Sequence, residues 1–260
     1  MSHDRACLAL RLAGTLQSWG SASQFNRRDT DSTPTKSGVV GLLAAADGRR
    51  REDPILDLVE LRLGVRADEP GTVLRDYHTV SDYRGVALLS TAVDGKGRQK
   101  RSSSGQPTVV TERFYLQDAV FVAVVEGDRE LLTGLAHAVT HPAFPLALGR
   151  RSCAPTQPLL LPSATREPLW RSPLEHALRT IPWQAGQRLH KRTTVSLGVT
   201  YDDSAGEDVR HDVPISFAAN RRGFTTRRVT HTRVEVPTGV EEEPAGPSRA
   251  PHDPFALLGW

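Results

Sequence analysis

The chain has 260 residues, 38% of them apolar, and a formal net charge of +3, enough for one large domain or two small ones with a real core. No run of about 18 apolar residues occurs, and the apolar part of MSHDRACLALRLAG is too short for a secretion signal, so no transmembrane helix is expected and the chain reads as cytoplasmic. The two cysteines, Cys7 and Cys153, are far apart and have no CxxC spacing, which excludes a zinc ribbon or a disulfide framework.

In chain order, Cys7–Leu12 alternates and predicts a first strand, ended by Gly14 and Gly20 in AGTLQSWGS. After a polar stretch, Pro34 and Thr35 open a buried helix, VVGLLAAA, that stops near Gly48. Leu61–Val65 and Val73–Val80 predict two further strands. Residues 81–112 hold DGKGRQKRSSSGQPT, basic and poor in apolar groups, and read as a long exposed hairpin excursion. Ala119–Val125 is a buried strand, Arg129–Thr140 a helix with Leu131, Leu132, Leu135 and Val139 on one face, and Leu159–Leu161 a last short strand. Strand–helix–strand, insertion, strand–helix–strand is the βαββαβ order of a ferredoxin-like unit. Beyond a Pro-punctuated linker with one short helix, Arg188–Val199, Val209–Phe217 and Thr225–Val236 read as strands of a small antiparallel subdomain. Residues 237–260 are Pro-, Gly- and Glu-rich at their start and predict a disordered tail.

The charge is uneven. Residues 238–260 carry Glu241, Glu242, Glu243 and Asp253 against Arg249, which leaves 32 basic and 26 acidic residues in 1–237. Nearly all the bases are arginine, suited to bidentate phosphate contacts and to stacking. A GC-rich genome that encodes arginine freely explains the same composition.

Several segments carry candidate chemistry, each with a plainer alternative. PTKSG sets Thr35, Lys36 and Ser37 at a helix N-terminus, where free N–H groups and the dipole favour an anion. It lacks P-loop spacing, and an ordinary capped helix start explains it equally. TLQSWG offers Gln17, Ser18 and Trp19 for hydrogen bonding to and stacking on bases, or a core tryptophan. LRDYHTV presents Arg75, Tyr77 and His78, a set able to do acid–base work on a 2′-hydroxyl or simply to line a strand. ALGRRSC places Arg150, Arg151 and Ser152 behind a glycine turn, apt for a phosphate or a solvated basic turn. His137 and His141 stand four apart on a helix but lack the HExxH glutamate, so they read as surface. No enzyme signature stands out.

Taken together, RLAGTLQSWG, PTKSGVVGLLAAADG, LRDYHTVSDYRG and LGRRSC, in this order and spacing, resemble the Cas-five family of the RAMP superfamily, in its type I-E CRISPR Cascade branch. The likeness runs from about residue 5 to 162 and thinly to about 236. It implies an α+β fold: a ferredoxin-like (RRM-like) βαββαβ N-terminal domain, residues 1–162, with an inserted β-hairpin thumb at about 81–112. A small β-rich C-terminal subdomain at 163–236 would follow. The resemblance implies a non-catalytic subunit that holds the 5′ handle of the guide RNA (crRNA) and contacts the large and backbone subunits. It would meet target DNA only through the complex, with no cofactor, metal or membrane. RNA contacts would come from Gln17–Trp19, Thr35–Ser37, the strand around Arg75–His78, thumb bases such as Arg98, Lys100 and Arg101, and Arg150–Ser152. In the type I-C branch the equivalent subunit is itself a metal-independent endoribonuclease. That alternative would use Tyr77 or His78 with Lys36 or Arg151. A general single-strand binder would need more exposed aromatics than 4 Trp, 4 Tyr and 7 Phe readily supply.

Overall fold

The computed structural model describes residues 4–20, 26–81, 89–93, 99–101, 108–186 and 193–239. The protein is a mixed α+β molecule built mostly of antiparallel strands. Strand β1 (Arg5–Ala13) is followed by two short strands, β2 (Leu16–Gln17) and β3 (Arg27–Arg28), then by helices α1 (Lys36–Ala46) and α2 (Leu56–Val59). Strands β4 (Arg62–Glu69), β5 (Thr72–Ser81), β6 (Leu89–Val93), β7 (Gln99–Arg101), β8 (Thr108–Gln117) and β9 (Val120–Asp128) come next. Helices α3 (Arg129–Thr140) and α4 (Leu174–Thr180) precede β10 (Thr194–Asp202), β11 (Asp208–Ser216) and β12 (Gly223–Pro237).

The main sheet has the order β1–β9–β4–β10–β12–β11. Helices cover it on both faces, which is why its central strands read as nearly continuous apolar runs. Alternation sends Leu8, Leu10, Leu12, Phe121 and Ala123 into one core cluster with Leu43 of α1 and Leu135 of α3. Cys7, Ala9, Val122 and Val124 enter the other, beneath Leu174 and Leu178 of α4. Burial pushes the Cys7 thiol up to about 12, so it behaves as a small apolar group.

Local signals set the helix ends. Thr35 caps α1 through its hydroxyl to the Gly38 N–H, and Gly48 ends it at φ +78°. Asp128 caps α3 at the N–H groups of Glu130 and Leu131. Leu160 bridges to Leu10 of β1, so the expected last strand reaches the sheet as a single pair. The strands expected as a C-terminal subdomain join the N-terminal sheet directly, because β10 pairs with β4 from Gly198↔Ala67 to Tyr201↔Gly64. The expected tail falls outside the described residues from 240 onward.

An arm leaves the body between β4 and β9. Its stem is the ten-pair ladder of β5 on β8, and β6 pairs with β7 farther out. The regular stem begins at Thr72 and ends at Gln117, so the hairpin is wider than the expected 81–112. The sequence hid this because the stem strands alternate like body strands.

One buried arginine fastens the second layer. Arg66, fully buried, donates to the carbonyls of Leu178, Ile181 and Pro182 at the end of α4 and forms a bidentate pair with Asp68. Asp68 also accepts from the Gln184 N–H at 2.6 Å. Losing one partner of such a pair leaves an uncompensated buried charge. Arg66→Leu is expected to destabilise the fold by about 3–5 kcal/mol, read as a lowered urea midpoint; an unchanged midpoint would show that the pair is dispensable.

Candidate nucleic-acid interface

Three of the four sequence segments set out above, TLQSWG, PTKSG and LGRRSC, meet around one side chain. Trp19 is fully buried, and its indole N–H donates to Gln17 Oε1 at 3.0 Å. The Gln17 amide in turn donates to the carbonyls of Leu12 (3.0 Å) and Ala119 (2.6 Å). Gly38 of the PTKSG helix start lies against this ring, where a Cβ would come within 2.6 Å of Trp19 Cε3. Gly149 of LGRRSC closes from the other side at φ +90°, where a Cβ would stand 1.7 Å from the Ser18 carbonyl oxygen. The Ser18 N–H donates to the Leu148 carbonyl at 3.1 Å. Both glycines are thus backbone contact points that hold three segments together.

Gln17, Ser18 and Trp19 are therefore buried, with their polar groups used inside the chain. So are Thr35, Lys36 and Ser37. The helix end is already filled by a carboxylate of the chain: Asp212 accepts from the Lys36 N–H at 2.9 Å. The Lys36 ammonium pairs with Asp202 at 2.9 Å, and Arg227 bridges Asp202 and Asp212. Burial works to raise the Asp212 carboxyl, but the hydrogen bonds and charge of Arg227, with the Lys36 N–H, hold it below the usual carboxylate range. Burial works to lower Arg227, and the two carboxylates overturn that, so it is raised. This end of α1 is closed to outside anions in the free chain.

The arm stem is open. Its register places Val73, Arg75 and Tyr77 on one face with Phe114, Glu112 and Val110. On that face Arg75 is neutralised by Glu112 at 2.5 Å, while Tyr77 is 66% exposed. The other face carries His78, Arg113 and Tyr115, joined by Arg28 through the β3–β8 pairing. Arg150 reaches over from its turn. It donates to the carbonyls of Phe114 (2.9 Å) and Arg28 (2.6 Å), and its guanidinium lies 4.8 Å from the centre of the Tyr115 ring. Arg151 and Ser152 are exposed at the tip of this turn. His78 Nδ1 lies 3.5 Å from an Asp76 oxygen. Arg98 lies outside the described residues; Lys100 and Arg101 lie on β7, whose side chains are likewise outside them.

The structure thus brings Arg150 to the same side as His78, and keeps Lys36 apart inside an ion network. Sequence reading missed Arg28 and Arg113. Burial and the charges of Arg150, Arg113 and Arg222 push the Arg28 guanidinium below its ordinary value. The missed residues sit in RRDT and TERFYLQ, which have no motif spacing. Their one signal is the arginine excess. Among the described residues no group of His, Cys, Asp and Glu could hold a metal ion.

A family model described as "CRISPR-associated protein (Cas_Cas5)" matches residues 7–230. The chain is 36% identical over 175 residues to the "CRISPR system Cascade subunit CasD" of Escherichia coli (strain K12), covering 60% of this chain and 70% of that protein. It is also similar to a solved structure described as "Crystal structure of Cas protein", with 36% identity and a TM-score of 0.66 over 90% of this chain and all of that one. A chain of a "CRISPR RNA-guided surveillance complex" gives 33% identity and a TM-score of 0.68, covering 94% of this chain and 95% of that one.

Two outcomes follow from the geometry. Gly149→Ala combines a left-handed φ with a backbone collision, so it is expected to cost at least about 3 kcal/mol and to loosen the arginine turn. Thermal melting and limited proteolysis after Arg150 check this; a native-like melt would mean that the turn can step away from Ser18. Asp212 has a depressed pKa in the folded chain, so its contribution is present above the unfolded value of about 3.9 and is lost as pH falls through the folded value. Melting curves between pH 6 and 3 should show a steeper acid loss for the wild type than for Asp212→Asn, which starts less stable.

Proposed function

The chain belongs to the Cas-five family of CRISPR-associated proteins, and from that membership we propose that it is the non-catalytic Cascade subunit that holds the 5′ handle of the guide RNA. The observation that carries this reading is the cationic face where Arg28, Arg113 and Arg150 gather at the root of the arm. Phosphate oxygens accept from guanidinium forks, and single-stranded bases stack on exposed rings. His78 on the stem and Arg151 and Ser152 on the turn would add to that face, Arg75 and Tyr77 would offer the opposite face of the stem, and the thumb bases Arg98, Lys100 and Arg101 would supply further RNA contacts. Gln17–Trp19 and Thr35–Ser37 position it from beneath. The order β1–α1–β4–β9–α3, with residues 159–161 bridged to β1, supports a ferredoxin-like arrangement with the arm as its thumb.

A few arginine contacts on one chain give modest, salt-sensitive affinity, so stable capture of the guide would require the large and backbone subunits. What favours a scaffold over a nuclease is the fate of Lys36, one of the two candidate cations. Lys36 is held by Asp202 inside the chain, away from His78 on the arm. Cleavage would need a base and a cation converging on one 2′-hydroxyl and its phosphate.

The test incubates the full chain with labelled repeat RNA without metal, beside Arg113→Gln and His78→Ala. Retention of the processed handle without cutting is expected, with Arg113→Gln binding roughly tenfold more weakly, about 1.4 kcal/mol. Site-specific cutting that His78→Ala abolishes would replace this reading with the endoribonuclease.

A further inference from the structure

We propose that the acidic run Glu241–Glu243 docks a carboxylate on Arg11, in a pocket at the end of the main sheet where the chain itself leaves that sheet. This docking concerns the chain alone and does not depend on the guide-RNA reading. Arg11 lies on β1, on the face that sets Cys7 and Ala9 against α4. It lines an open pocket of about 320 Å³ together with Thr15, Asp118, Thr156 and Gln184. A guanidinium has five N–H donors. Arg11 uses two of them, both at long range: Nη1 donates to Gln184 Oε1 at 3.4 Å and Nη2 to the Pro158 carbonyl at 3.5 Å. Its Nε is buried without an acceptor. Arg66 and Arg227, also withdrawn from water, each hold a carboxylate. Arg11 has only neutral, distant acceptors among the described residues, so it is short of one carboxylate. Asp118 in the lining opposes a second negative charge, which suits the pocket to a single carboxylate rather than to a phosphate chain.

The occupant follows from where the chain goes. β1, β4 and β12 run in one direction, each antiparallel to the strand between. β12 therefore leaves the sheet at the end where β1 stops and the pocket lies. The strap behind α4 joins the two places: the Trp183 N–H donates to the Pro237 carbonyl at 3.2 Å, and Gln184 faces Arg11. In the order β1–β9–β4–β10–β12, four strand spacings separate β12 from β1, about 19 Å across the sheet. An extended chain covers that in about six residues, the step from Pro237 to Glu243. Glu241, Glu242 and Glu243 stand at the end of that step, and the next base is Arg249.

The test uses the full chain, Arg11→Gln, a tail variant with Glu241→Gln, Glu242→Gln and Glu243→Gln together, and the combination of both. All are melted, and the wild type and Arg11→Gln are also cut by a glutamate-specific protease under native conditions. Arg11→Gln is expected to speed cutting after Glu241–Glu243 about fivefold, the size of one charge pair at the surface. The tail variant should melt lower than the wild type, and Arg11→Gln should cost less in the tail variant than in the wild type. A peptide of residues 238–247 should restore the tail variant and leave the combined variant unchanged. The tail changes touch no described residue, so the peptide arm on the tail variant stands even if Arg11→Gln does not fold. Equal cutting rates would overturn the proposal, as would additive melting losses. An equal rise in melting temperature for the wild type and the tail variant with free polyglutamate would also overturn it, and would leave the pocket to a carboxylate of another chain.

Discussion

Burying Trp19 with its indole N–H satisfied constrains nearly everything near the interface. An indole in the core needs an acceptor, and Gln17 supplies it only because its own amide is held by Leu12 and Ala119. That fixes the end of β1, the start of β9 and the short β2 relative to one another. Two glycines then bring a helix start and an arginine turn into van der Waals contact with the same segment. A side chain at either place would push its segment outward, and Arg150 would no longer reach the carbonyls of Arg28 and Phe114.

The cationic face depends on this rigid seat because it is electrostatically unfavourable by itself. Arg28, Arg113 and Arg150 come from a short edge strand, an arm strand and a turn; Arg113 donates to the Thr111 hydroxyl and Arg150 to the carbonyls of Phe114 and Arg28. A neutral acceptor fixes the direction of a guanidinium without cancelling its charge. The arm's opposite face shows the contrast: Arg75 is neutralised by Glu112, leaving Val73 and Tyr77 as its exposed character. One ribbon thus has a charged side and a nearly neutral one, set by the alternation of its strands.

Buried ion networks join the C-terminal strands to this arrangement. Asp202 of β10 and Asp212 of β11 meet Lys36 of α1 and Arg227 of β12, so four elements distant in sequence share two carboxylates. Their charges are paired and hydrogen-bonded, the condition under which such groups tolerate burial. Arg66 and Asp68 do the same for α4 and the strap behind it. Together they make the C-terminal strands part of the main sheet and fasten them to the start of α1 and to α4.

The amino-acid sequence alone determined the alternation of β1 and β9, the helix start at Thr35, the helix from Arg129, the basic excursion and the four segments whose order resembles the Cas-five family. Those are local signals: periodicity, caps and turn residues act within a few positions and survive without knowledge of what packs where. Only the tertiary structure decided which polar groups are free. Lys36 resembles a phosphate ligand in PTKSG until Asp202, 166 residues away, is seen to hold it. Gln17 resembles a base reader until Trp19 and Ala119 are seen to use it up. Arg28 and Arg113 carry no motif, since a cluster built from separate elements has no spacing to read. Long-range pairing sets the electrostatics of each group, and sequence proximity does not encode it.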